Sequence, residues 1–127
     1  MMTSTIRSIT LTFPFPDMSR ASIHGNGSRQ AKAKQIKEVR AIARHASLDQ
    51  GDGFVRLEVA NIRYWIFMPN KIKRDAANMV QACKPIIDGI VDAKILAGDS
   101  WDVLKIAGVH VEVDRVNPRV EIQLWQQ

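Results

Sequence analysis

The hydrophobic residues of this chain change their spacing repeatedly from one end to the other, and each change limits what that stretch can form. In "SITLTF", Ile9, Leu11 and Phe13 alternate with polar residues. That is the period of a half-buried strand, and "PFP" ends it. In residues 29–48 the spacing becomes helical, with Ile36, Val39, Ile42, Ala43 and Ala46 on one face. Residues 54–68, "FVRLEVANIRYWIFM", return to alternation as a strand. Val55, Leu57 and Val59 keep one phase while Ile62, Tyr64, Ile66 and Met68 keep the other, so a bulge or hairpin bend is expected near Ala60 and Asn61. Met79, Val80, Cys83, Ile86, Ile87, Ile90 and Val91 mark a second amphipathic helix. Pro85 inside it predicts a kink, or a first turn set apart from the rest. Residues 101–114 and 119–125 alternate as two more strands, with "RVNPR" as their hairpin loop. The order β-α-β-α-β-β predicts an α+β fold: a two-layer α/β sandwich with a mixed sheet and both helices on one face.

A chain of 127 residues is expected to form one domain over 1–127, with a core that needs no staples. No apolar run approaches the roughly 18–20 residues that span a membrane, and the first residues lack the apolar stretch of a signal peptide. The single Cys83 has no disulfide partner and no metal-ligand companions. The expectation is a cytoplasmic protein in a reducing compartment. Charge is spread unevenly. Residues 1–74 carry 13 Lys and Arg against 5 Asp and Glu, a net of +8, whereas residues 75–127 carry 5 against 8, a net of −3. The basic half suits a polyanion, with counterion release as the driving force, and the acidic half suits a metal site beside a phosphate track. Two solvated surfaces are the plainer reading of the same charges.

The chemistry-bearing stretch is "RDAANMVQACKPIIDG", residues 74–89, which follows the basic run Lys71, Lys73 and Arg74. If Asp75 ends an extended segment, residue 77 points to the same side, and a carboxylate there would complete a pair for a divalent cation. Position 77 is alanine. Asn78 with Gln81 resembles a capping box; a metal-directed role is the other reading. Lys84 has Asp88 four residues on as a surface partner, yet on one continuous helical wheel it also lies over position 77. Asp99 in "AGDSWD" sits where a loop enters a strand, as a ligand or as a turn former, with Asp102 as a possible auxiliary. On the first helix Lys37, Arg40 and Arg44 form a basic stripe. Residues 16–29, with the Gly25-Asn26-Gly27 turn, read as a long basic loop. His24, His45 and His110 show no zinc spacing, and Trp65, Trp101 and Trp125 fall in strand patterns and read as core.

These residues, taken together, resemble the RusA family of Holliday junction resolvases, whose members show D-x-D-N…K-P-x-x-D-G-L…A-G-V-x-x-D-D-S after a basic run. This chain has "RDAANMVQACKPIIDGIVDAKILAGDS", preceded by "MPN", and an N-terminal "ITLTFPFP". The resemblance implies a dimeric, Mg²⁺-dependent endonuclease (with Mn²⁺ as a possible substitute) that makes paired nicks across four-way DNA junctions. It implies Asp75 and Asp99 as metal carboxylates and Lys84 as the catalytic lysine. Asn78 matches the motif asparagine, and Lys71, Lys73 and Arg74 match the basic run. Three positions depart from the pattern: Ala77 for the second aspartate, Gly98 for the first of the paired aspartates, and Lys94 for a usual glycine. A junction-binding protein without competent metal chemistry is the alternative that Ala77 leaves open.

Overall fold

In a computed structural model, which describes residues 7–16 and 29–127, the chain forms a mixed four-stranded sheet with helices on one side. The elements are β1 (Ser8–Pro14), α1 (Arg29–Gln50), β2 (Ala60–Met68), α2 (Ala76–Ala82), α3 (Lys84–Asp92), β3 (Leu104–Val113) and β4 (Arg119–Gln126). Most of the loop expected at residues 16–29, with His24, lies outside the described residues.

The strands run in the order β1-β4-β2-β3. β4 is antiparallel to both β1 and β2, and β2 is parallel to β3. Alternation fixes which face is buried. Ile62, Tyr64, Ile66 and Met68 of β2, and Val120, Ile122 and Leu124 of β4, point into one core with Leu11 and Phe13 of β1. The helices close it through Ala43 of α1 and Ile86, Ile87 and Ile90 of α3. Fully burying one such large aliphatic or aromatic side chain stabilises by roughly 1.5–3 kcal/mol. The helices touch closely because residue 89 is glycine. A Cβ there would meet the Ala43 Cβ at 2.6 Å and the Arg40 carbonyl oxygen at 2.7 Å.

Several expectations need correction. The strand expected from residue 54 begins at Ala60; Leu57 makes a lone bridge to Leu96, and the change of phase falls at Glu58 and Val59. β3 and β4 are not a hairpin, because β2 lies between them. The link is a bend built on Asp114. Its N–H bonds the Met68 carbonyl at the end of β2, and its carboxylate accepts from the N–H of Val116 and Asn117 and from Arg119. That carries the chain past β2. On α1, Ile36 and Ile42 are half exposed, while Ala43 and Ser47 are buried. Trp101 lies in a turn, 82% exposed. Trp65 and Trp125 are part-buried on the sheet's open face: Trp65 stacks on His110 at 4.3 Å, and the Arg63 guanidinium lies over Trp125.

Pro85 separates a first segment of the second helical stretch from the rest, as its position predicts. α2 stops at Ala82, and α3 starts at Lys84 with the proline in its first turn, where no intrahelical N–H bond is lost. α3 ends in a Schellman turn: the Ile95 N–H bonds the Ile90 carbonyl and the Lys94 N–H bonds the Val91 carbonyl. Lys94 sits at φ +67, a left-handed conformation at the position where the resemblance has glycine.

Candidate functional site

The basic run leads straight into the site. After β2 the chain passes through Lys71, Lys73 and Arg74 as exposed coil and delivers Asp75 in extended backbone, φ −65 and ψ 128. Asp75 is the cap of α2. Its Oδ1 accepts the N–H of Ala77 at 2.8 Å and of Asn78 at 3.4 Å. The cap therefore falls three residues before Asn78, which lies exposed within the helix. A full carboxylate charge also meets the positive end of the helix dipole, which an amide would not supply. Ala77 is exposed beside it.

The break at Cys83 rules out the single helical wheel that set Lys84 over residue 77. Lys84 instead joins two carboxylates. Its Nζ donates to Asp88 Oδ1 at 2.5 Å and to Asp99 Oδ2. Asp88 is one helical turn along α3, while Asp99 comes from the loop between α3 and β3. Side-chain exposures of 56% for Lys84, 25% for Asp88 and 38% for Asp99 leave the group open to a ligand. Asp88, then Asp99, hold the ammonium protonated above its ordinary value of 10.5. Tyr64 of β2 is buried in the core, and its hydroxyl is pushed up to about 12 by that burial, with Cys83 and Asp99 adding to it.

Among the expected site residues, the structure joins Lys84 to Asp99. No hydrogen bond or ion pair links Asp75 to that group among the described residues. Asp102 belongs to the next turn, where its Oδ1 accepts from the Ser100 hydroxyl at 2.5 Å and its carboxyl is held below the usual aspartate value. Arg40 leaves the basic stripe: its guanidinium forms a two-pronged pair with Asp92 at 2.7 and 2.9 Å that ties α1 to α3. Lys37 and Arg44 stay exposed on α1. Asp88 is the residue that sequence reasoning did not place at the site. Asp88 was visible as the partner of Lys84 and as the aspartate of the K-P-x-x-D-G stretch, but nothing in the spacing of residues 88 and 99 signals that their carboxylates converge.

Among the described residues, no three of His, Cys, Asp and Glu lie close enough together to hold a metal ion. Two carboxylates that share one positive centre are nevertheless the donor chemistry of a magnesium site, since this ion is commonly held by one or two carboxylates with water and phosphate completing its shell. No family model matches the chain, and no curated protein matches it.

Proposed function

We propose that this chain is a Mg²⁺-dependent, structure-selective DNA endonuclease that resolves four-way junctions by paired nicks, acting as two copies on a two-fold symmetric substrate. One observation carries the reading: Lys84 and Asp99, the motif lysine and motif aspartate set 15 residues apart, meet in one open group, in a chain whose exposed basic run precedes the helices that lead to it. The resemblance to RusA resolvases in residues 69–104 supports it.

In this reading Asp99 and Asp88, the two carboxylates that share Lys84, would hold the cation with water completing its shell, while Asp75 caps the helix that follows the basic run. The metal, when bound, supplies positive charge against the scissile phosphate and a more acidic water. Lys84, released toward the phosphate, adds its charge to the developing negative oxygens. Lys71, Lys73 and Arg74, with Lys37 and Arg44 of α1, hold the sugar-phosphate backbone and fix its register without reading sequence.

The test is a labelled four-way junction incubated at low salt with Mg²⁺ or with EDTA. Paired nicks are expected only with Mg²⁺, and Asp99→Asn should abolish them while leaving binding. A second reading is favoured by Ala77 and by the use of Asp75 Oδ1 as a cap. It is a junction-binding protein with weakened or lost metal chemistry. Tight binding with no nicking in either Mg²⁺ or Mn²⁺ would establish it in place of the first.

A further inference from the structure

The two edges of the sheet are finished differently. At the β1 edge, the Gln50 side chain of α1 imitates a strand: its amide donates to the Thr12 carbonyl and accepts the Thr12 N–H, both at 2.7 Å. Pro14 closes the same strand and offers no N–H. The β3 edge has neither device. β3 is ten residues long, and among the described residues no side chain bonds its outer backbone. The helices also leave it bare. On the side that faces the core elsewhere, β3 shows Ile106 at 62%, Val109 at 37%, Val111 at 44% and Val113 at 42% exposure. Val109, Val111 and Val113 lie in register with the buried Tyr64, Ile66 and Met68 of β2. A long apolar edge of this kind is a template for another strand.

We infer that this edge is where two copies of the chain meet, β3 lying antiparallel to β3 of the second copy about a two-fold axis at Val111. Symmetry requires one residue to face itself, and side chains that face each other must share a side of the sheet. The extra residue Ala107, where the register with β2 slips between Ile62 and Arg63, confines regular pairing to residues 108–113. An axis at Glu112 sets carboxylate against carboxylate. An axis at His110 leaves Glu112 opposite Gly108. An axis at Val111 sets His110, a ring N–H donor, opposite Glu112 of the second copy, twice by symmetry and on the open face. On the other face it sets Val111 against itself and Val109 against Val113. Only this register pairs every polar side chain of the segment with a complementary one. The surface stands on exposure and register, and a dimer that fails to cut DNA would leave it intact.

Light scattering on the full chain at tens of micromolar should give twice the 14.3 kDa of one copy. Val111→Lys, which sets like charges opposite each other at the axis, should weaken the dimer at least tenfold while the circular dichroism stays unchanged. Val111→Cys should form a covalent dimer under mild oxidation, because the residue faces its own copy and the native Cys83 is buried. Val55→Cys, which is exposed but away from this edge, should not. A monomeric wild type overturns the proposal. So does a dimer that Val111→Lys leaves intact, or one in which residue 55 cross-links and residue 111 does not.

Discussion

Lys94 holds the turn that releases α3 into the loop bearing Asp99, and it does so at φ +67. A left-handed conformation costs a residue with a Cβ roughly 1–2 kcal/mol. Lys94→Gly removes that strain, while the added freedom of glycine in the unfolded chain takes back roughly 0.4–1 kcal/mol. The net gain lies between zero and about 1.6 kcal/mol and centres on about 0.8 kcal/mol, or about 2–4 °C in Tm for a chain of this size. The turn itself is unaffected, because both of its hydrogen bonds are backbone bonds, from Ile95 to Ile90 and from Lys94 to Val91. Lys94→Ala separates backbone from side chain. It removes the same charge and keeps the Cβ, so it should give none of the gain. Thermal melts of the three proteins at matched concentration decide the matter. If glycine melts at or below the wild type, or if alanine rises as far as glycine, the strain is not where the backbone places it.

Gly89→Ala should lower stability by about 1–3 kcal/mol in urea despite alanine's better helix propensity, because its Cβ would press on Ala43 and on the α1 backbone; an unchanged midpoint would refute the close helix contact. Asp92 is held below the ordinary aspartate value of 3.8 chiefly by its bonds to Arg40. A carboxyl lowered by folding contributes stability above its unfolded value and loses it as the pH falls through the folded one. Asp92→Asn should therefore be less stable than the wild type at pH 7, and the gap should close below about pH 3.8; a gap constant with pH would mean that the pair contributes nothing through charge. Cys83, whose thiol is pushed up to about 12 by burial, should resist thiol reagents at pH 8 in the native protein and react at once in denaturant.

β1, β2 and β4 were legible from alternation because each buries one face and shows the other, and a period of two records that burial directly. β3 was read as alternating, but the structure exposes both of its faces, so its residues record no core. The supposed hairpin failed for a related reason. Five residues between two strands fit a turn to the neighbouring position as well as a step past one strand, and the choice here rests on Asp114 bonding the end of β2. Asp75 and Asn78 both have cap chemistry, and the extended backbone at Asp75, invisible in composition, decided between them. At the site, the pairing of Lys84 with Asp88 follows from helical spacing. Its meeting with Asp99 depends on how the loop after Lys94 folds back, which is tertiary and leaves no local pattern.

The strand order also sets a timetable for synthesis. Ser8 is paired with Trp125, and every partner of β1 in the sheet comes from residues 119–125. β2, although central, waits for both of its neighbours, since β3 and β4 follow it in the chain. A ribosome that has made β1, α1, β2, α2 and α3 has produced five elements with no completed sheet to rest on. β4 is the piece that joins β1 to the others, and it emerges last of the seven elements. Until it arrives, Leu11 and Phe13 have no sheet around them. Such distant pairing is slow and leaves apolar surface open to other chains. The nascent protein is therefore most in need of a chaperone just before residues 119–126 emerge.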